Sequence, residues 1–216
     1  MTRVAIAGAA GRMGRTLVAA CQAHEVLTLS HAFEHPGNEA VGQPAGTLAG
    51  TADPGPVIGD SIDGPAFDVL IDFTTPEASL ANLDYCAKSH ARMVIGTTGF
   101  GAAQKELISQ ASRDTAVVLA PNMSVGVNIC FKLLEIAAGA FGDDVDIEII
   151  EAHHRNKVDA PSGTALKMGE VVASTLGRSL DHDGVFSRHG RTGPRQQGQI
   201  GFATVRAADI VGEHSV

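Results

Sequence analysis

The sequence predicts an α/β protein in which a doubly wound parallel sheet domain is followed by an α+β second domain. Three observations carry that expectation. Short apolar runs without polar alternation recur through the first half of the chain, helix-like stretches fall between them, and the pattern changes after Ser124. An unalternating apolar run suits a strand covered on both faces, and strands that alternate with helices pair in parallel because each helix carries the chain back across the sheet.

Val4-Ala5-Ile6-Ala7 is the first such run, and glycines and a helix-like stretch from Arg12 to Ala23 follow it, which reads as strand, tight turn and helix. Glu25 to Phe33 is the second expected strand, and Phe67 to Phe73, Met93 to Ile95 and Ala116 to Leu119 continue the series. Helices are expected at Glu77 to Ser89 and Ala102 to Ser112. The segment His35 to Pro65 is rich in Gly and Pro, so it reads as a loop holding one short strand around Val57-Ile58. Beyond Ser124 come a long helix through Phe141, a β-rich run from Val145 to Ile150, and a helix beginning near Ser162. A polar stretch, Arg178 to Gln199, then leads into two strand-like runs, Ile200 to Val205 and Asp209 to Val216. The expected domains are therefore 1–124 and 125–216.

Composition narrows the function. A chain of 216 residues with 44% hydrophobic content has enough apolar material for two cores. A formal charge of -8 opposes binding to a phosphate backbone, which needs clustered Lys and Arg, so nucleic acid is excluded as a partner. Cys21, Cys86 and Cys130 form no CxxC pair and suggest neither a disulfide framework nor a zinc site. The N-terminal apolar run is too short for a signal-peptide core, and no later run is read as reaching the roughly 20 apolar residues of a membrane span. The expectation is a cytoplasmic protein with no membrane partner.

Two regions carry chemistry. Gly8-Ala9-Ala10-Gly11-Arg12-Met13-Gly14 is a Gly-x-x-Gly-x-x-Gly turn directly after a strand and opening a helix. Glycines let the backbone approach a pyrophosphate, whose charge is stabilised by free N–H groups and the positive end of the helix dipole. Alone, the pattern fits a tight connection with no ligand. The second strand, however, ends in Glu34, about 20 residues past the last glycine, where an acidic side chain can accept hydrogen bonds from a ribose. Together they favour a Rossmann-like dinucleotide site. Gly96-Thr97-Thr98-Gly99 and Ala120-Pro121-Asn122-Met123 also follow strands, on the carboxyl edge where such sheets bind ligands, as does Phe73-Thr74-Thr75-Pro76, read chiefly as a helix start.

The second region is Glu151-Ala152-His153-His154-Arg155-Asn156-Lys157-Val158-Asp159-Ala160-Pro161-Ser162-Gly163-Thr164-Ala165. Adjacent histidines on an extended chain point to opposite faces, and no carboxylate or Cys stands at a ligand spacing, so no metal is expected. Singly, each imidazole would be structural and Lys157 a solvated amine. Pro161-Ser162 changes this, because Ser162 as N-cap leaves the N–H groups of Gly163 and Thr164 for an anion. A small carboxylate held there would meet a cationic Lys157 and two imidazoles able to donate hydrogen bonds or protons. The group suits reduction of an acidic, unsaturated molecule.

The Glu151 to Ala165 string resembles the signature of the 4-hydroxy-tetrahydrodipicolinate (dihydrodipicolinate) reductases. Val4 to Gly14, Asp72-Phe73-Thr74, Val94 to Phe100, Asn122 to Asn128, Ser187 to Gly193, Ile200-Gly201-Phe202 and Gly212-Glu213-His214 extend the resemblance almost from end to end. It implies hydride transfer from NADPH or NADH to a cyclic dicarboxylate made from pyruvate and aspartate semialdehyde, in lysine and diaminopimelate biosynthesis, by a homotetramer. Carried over residue by residue, it implies that Gly8, Ala9, Ala10, Gly11, Arg12 and Met13 hold the pyrophosphate and Glu34 the adenosine ribose. Gly96, Thr97, Thr98, Ala120, Pro121, Asn122 and Met123 would face the nicotinamide half. His153 and Lys157 would be the catalytic pair, with Lys157 the proton donor, and His154, Ser162, Gly163 and Thr164 would bind substrate. Where some members carry an Arg suited to the 2′-phosphate of NADPH, this chain has His35, so the resemblance leaves the cofactor preference open. It also implies that the family's chain continues beyond Val216 with a strand, a return to the first domain and an Arg for a substrate carboxylate. A longer source protein, or an impaired NAD(P)H-binding relative, is the expectation that follows.

Overall fold

The computed structural model describes every residue from Met1 to Val216, in two compact units, Met1–Ala120 and Pro121–Val216. In the first unit β1 (Thr2–Ala7), α1 (Arg12–Gln22), β2 (Leu27–Phe33), α2 (Ala45–Ala49), β3 (Val69–Asp72), α3 (Pro76–Ser89), β4 (Arg92–Ile95), α4 (Ala102–Ala111) and β5 (Val117–Leu119) follow one another. The sheet order is β2-β1-β3-β4-β5 and every pair is parallel, the doubly wound arrangement that the sequence predicts. The chain winds outward from β1 in one direction and from β3 in the other, so the carboxyl ends of these neighbours form the switch point where such sheets take ligands.

Alternation along β1 divides its side chains between two cores. Val4 and Ile6 pack with Val18, Cys21, Ala32 and Ile58 on the α1 side. Ala5 and Ala7 pack with Leu70, Leu83, Cys86, Met93, Ile95 and Ile108 on the α3 and α4 side. Burial on both faces is why this strand reads as a continuous apolar run. α3 starts as its sequence dictates, with Pro76 in the first turn and Thr75 Oγ1 accepting the Ala78 N–H.

In the second unit come α5 (Val125–Phe141), β6 (Ile147–His153), α6 (Gly163–Thr175), α7 (Leu180–Asp183), β7 (Gly184–Val185), β8 (Ile200–Arg206) and β9 (Glu213–Ser215). The sheet order is β7-β8-β6-β9. β6 runs parallel to β8, with Ile147 opposite Ile200 and His153 opposite Arg206, and antiparallel to β9, with Glu151 opposite His214. Phe131, Ala138, Ile147, Ile149, Ala165, Met168, Val172, Ile200 and Phe202 form the core between α5, α6 and one face of this sheet.

Four segments differ from the sequence reading. The His35–Pro65 segment contains α2, which is too short to show a helical period and is held by tertiary bonds: Gly46 N–H to Pro54 O, and Thr51 Oγ1 to Gln22 Oε1 at 2.6 Å. No strand forms at Val57-Ile58; Val57 makes one isolated bridge to Pro44, and Ile58 is buried in the core. Of Asp209–Val216 only Glu213–Ser215 is strand, because ladder hydrogen bonds need a partner and β6 pairs only there. Val125–Asp144, 20 residues with a mean hydropathy of 1.5, is long and apolar enough to cross a membrane, contrary to the sequence reading. Lys132 and Glu135 interrupt the run and pair at 2.7 Å. Phe131 and Ala138 face the core, while Ile129, Leu133 and Ile136 are exposed.

Gly169 is where α6 approaches the sheet. A Cβ there would stand 2.6 Å from the Phe202 ring, which is itself stacked on Phe186 at 4.8 Å. Gly169→Ala is expected to destabilise the second unit by about 1–3 kcal/mol through overpacking. Urea unfolding checks this; a variant as stable as the parent would show that the ring can step aside.

Candidate active site

At the switch point of the first unit, β1 runs into the glycine turn. Gly8 has φ +66, where a side chain is strained, and a Cβ on it would lie 2.9 Å from Thr74 Cγ2. A Cβ on Gly14 would collide with the Gly8 carbonyl oxygen and the Ala9 backbone. Only glycine lets α1 begin this close to the turn. Gly11 is the N-cap of α1 with no side-chain cap and no acidic residue in the first turn, so the helix end is open to an anion. Glu34 is folded onto this turn: Oε1 accepts the Ala10 N–H at 3.0 Å and Oε2 the His35 N–H at 3.3 Å. His35 is exposed, with Nδ1 3.0 Å from Pro36 O. A Cβ on Gly96 would run into the Phe73 ring. Arg12, Met13 and Thr98 are exposed, and Thr97 is buried.

The sequence reading assigned nothing to Asp72, which organises this edge. It is fully buried at the end of β3. Its Oδ1 accepts from Thr74 N at 2.9 Å, Thr74 Oγ1 at 2.6 Å and Ser79 Oγ at 3.0 Å, and its Oδ2 accepts from Asn82 Nδ2 at 2.8 Å. Thr97 Oγ1, 3.3 Å from Oδ1, accepts the Thr74 N–H, so one carboxylate ties together the loops after β3 and β4. The signal in the sequence is an acidic residue inside an apolar strand, followed by small hydroxyl and amide side chains.

In the second unit the candidate residues gather at the end of β6. Ile147, Ile149, Glu151 and His153 share one face because strand side chains repeat every two residues. Glu151, 1% exposed, therefore faces inward beside His153. Its Oε2 takes His153 Nδ1 at 2.6 Å and Arg206 Nη1 at 2.7 Å; its Oε1 takes Arg206 Nη2 at 2.7 Å and the Ser162 N–H at 3.0 Å. Burial pushes this carboxyl up, but the hydrogen bonds from Arg206, His153 and Ser162 outweigh it and hold the group at about 2.

Ser162 is the N-cap of α6, its Oγ accepting the Ala165 N–H at 3.1 Å and lying 2.8 Å from His214 Nε2. The His214 ring meets that of His153 edge-on at 5.1 Å. Burial, then the neighbouring His153, lowers the His214 pKa against the opposing pull of Glu151; the Lys157 charge lowers it further. Lys157 Nζ pairs with Asp159 Oδ1 at 2.8 Å. Asp159 is held below its usual range although burial opposes this, chiefly by the Lys157 hydrogen bond. His154 Nδ1 is buried without a hydrogen-bond partner. Asn122 Nδ2 donates to Thr164 Oγ1 at 3.4 Å, bringing an expected cofactor residue to an expected substrate residue; Pro121 and Met123 beside it are exposed and Ala120 half-buried. The sequence reading gives no site role to Arg206, His214 or Glu151, although His214 and Glu151 fall in strings that carry the resemblance. Only Glu151 had a local signal, its two-residue spacing from His153.

A glycine turn at the switch point of a parallel sheet, with a smaller mixed-sheet unit presenting imidazoles, an ammonium and a serine-capped helix start, defines the class as a dinucleotide-binding oxidoreductase. The chain belongs to the dihydrodipicolinate reductase family: that family's N-terminal part matches residues 2–123 and its C-terminal part residues 126–216. Among solved structures it is similar to a dipicolinate-bound dihydrodipicolinate reductase from Paenisporosarcina sp. TG-14, at 25% identity and a TM-score of 0.69, over 99% of this chain and 82% of that one. It shares its fold with the WlbA (WbpB) dehydrogenase from Thermus thermophilus, solved with NAD and alpha-ketoglutarate, at 13% identity and a TM-score of 0.61, over 97% and 74% of the two chains. The aspartate semialdehyde dehydrogenase from Candida albicans, solved with NADP, matches at 9% identity and a TM-score of 0.50, over 100% and 71%.

The Glu151 network makes stability depend on acid. A carboxyl whose pKa falls from 4.5 when free to about 2 when folded leaves the folded chain with fewer bound protons between those values. Its contribution is therefore complete above pH 4.5 and is lost as pH falls toward about 2. Glu151→Gln is expected to be less stable than the parent above pH 4.5, with the gap narrowing as pH falls. Urea unfolding across that range measures it, and a constant gap would rule out the Glu151 linkage.

Proposed function

We propose that this protein reduces 4-hydroxy-tetrahydrodipicolinate to tetrahydrodipicolinate with NADPH or NADH, in lysine and diaminopimelate biosynthesis, as a cytoplasmic homotetramer. The observation that carries the reading is the end of β6, where His153, Lys157 and the N-terminus of α6 stand together in a family of dihydrodipicolinate reductases. The dipicolinate of the Paenisporosarcina relative shares with the proposed substrate a six-membered nitrogen ring carrying two carboxylates.

The glycine turn with Glu34 suits a dinucleotide, Gly8 and Gly14 permitting a turn so tight that a Cβ at either would clash with the chain's own atoms. The cofactor supplies a hydride; the chain's own residues hold the substrate and handle the proton. The N–H groups of Gly163 and Thr164 take one carboxylate, with the helix dipole behind them. His154 and Ser162 line the same end of β6 and α6. Lys157 releases Asp159 as the substrate's negative charge arrives, and its ammonium gives the proton that lets the hydroxyl leave as water. His153 orients the ring and shares the proton with Lys157. The sum is substrate, NAD(P)H and one proton going to product, NAD(P)⁺ and water.

The direct test is oxidation of NADPH and NADH in the presence of substrate generated in place from pyruvate and aspartate semialdehyde by the upstream synthase. Lys157→Ala and His153→Gln are each expected to lower kcat by about 10²- to 10⁴-fold with little change in NADPH Kd. No oxidation with either cofactor would sink the reading in favour of a nucleotide-binding relative without turnover.

The cofactor preference turns on His35. An imidazole is charged only when protonated, whereas a guanidinium is always charged and can grip a 2′-phosphate through two N–H groups. His35→Arg is expected to shift the Kd ratio toward NADPH by about 3- to 10-fold, a modest gain because the side chain is exposed. Fluorescence titration with both cofactors reads the ratio; no change would remove position 35 from the adenosine end of the site.

A further inference from the structure

We propose that Glu151, clamped by Arg206, is the positioning residue of the substrate site: it makes His153 Nδ1 a fixed N–H donor, directs Nε2 to the substrate, and holds the α6 anion seat in the same frame. This rests on the reading above, in which His153 and the α6 N-terminus meet the substrate.

The geometry carries the inference. An ionised carboxylate only accepts hydrogen bonds. His153 Nδ1 lies 2.6 Å from Glu151 Oε2, so in neutral His153 the proton must sit on Nδ1 and the free lone pair on Nε2. Gly212 packs against the second edge of the ring, and only glycine leaves space beside Nε2: a Cβ there would stand 3.0 Å from it. Glu151 itself cannot turn, since Arg206 binds both of its oxygens at 2.7 Å and also donates to Asp159 O at 2.6 Å. Its Oε1 holds the Ser162 N–H at 3.0 Å, and Ser162 caps the helix whose next two N–H groups form the anion seat. One carboxylate therefore fixes the imidazole on β6 and the start of α6 relative to each other. A proton-handling group and an anion site act on one small molecule only if their separation is set beforehand.

Glu151 is the carboxylate bonded to the His153 ring, and the arginine, imidazole and backbone N–H around it keep it ionised. His214 Nε2 is committed to Ser162 Oγ at 2.8 Å, so it supports the seat rather than competing for His153.

The test reads the tautomer directly. In ¹⁵N-labelled protein, at a pH where the ring is neutral, His153 is expected to be the Nδ1–H form, with Nε2 unprotonated. In Glu151→Gln the ring is expected to shift to a mixture containing Nε2–H. The same variant should lower kcat by about 10²-fold or more and raise the substrate KM, while NADPH Kd stays at the parent value. An Nε2–H tautomer in the parent protein would overturn the proposal, as would Glu151→Gln with parental kcat. Should Glu151→Gln fail to fold, the parent tautomer decides alone. A parent protein that carries the Nδ1–H tautomer but never oxidises NAD(P)H would refute the assigned reaction and leave the positioning role standing.

Discussion

The second unit depends on one buried carboxylate. Glu151 lies in the middle of a sheet strand with almost no solvent contact, where an isolated charge would cost several kcal/mol. It is tolerated because all of its accepting positions are used, by a bidentate Arg206 from β8, by His153 two residues along its own strand, and by the backbone of Ser162 at the start of α6. Strand, neighbouring strand and helix are joined at a point. Any change that leaves Arg206 without this partner strands a cation at the same place, which is why the network resists partial replacement.

The first unit has a counterpart in Asp72, solved with different chemistry. Its donors are uncharged, three hydroxyls, an amide and a backbone N–H, supplied by the loops after β3 and β4 and by the first turns of α3. A carboxylate bonded this way shapes the edge of the sheet without an arginine or lysine partner. Glu34 and the open end of α1 complete that edge. Each unit thus uses a buried acid to hold its loops, and only the second places that acid against an ionisable imidazole.

The strand ladder explains why the chemistry gathers where it does. Pairing of β6 with β8 sets His153 opposite Arg206, and pairing with β9 sets Glu151 opposite His214. Four side chains from positions 151 to 214 therefore meet through register, not through sequence proximity. β9 is three residues long, yet it delivers His214 to Ser162 and brings Gly212 against His153. The short strand matters to the site more than to the core.

The sequence by itself determined the alternation of strands and helices, the glycine turn, the acid at the end of β2 and the polar string from Glu151 to Ala165. These are local properties, written in periodicity, in glycines that only a tight turn requires and in caps such as Thr75 and Ser162. Tertiary structure decided the rest. α2 exists because Gln22, Thr51 and Asp53 close around it, not because five residues favour a helix. The ends of the Asp209–Val216 run are not strand because β6 pairs with only three of its residues. Arg206 and His214 could not be read as parts of the site, since 55 and 52 residues separate them from the Glu151 and Ser162 they bond. Spacing along a chain reveals partners one strand pleat or one helical turn away; partners across a sheet are chosen by the register that the whole core imposes.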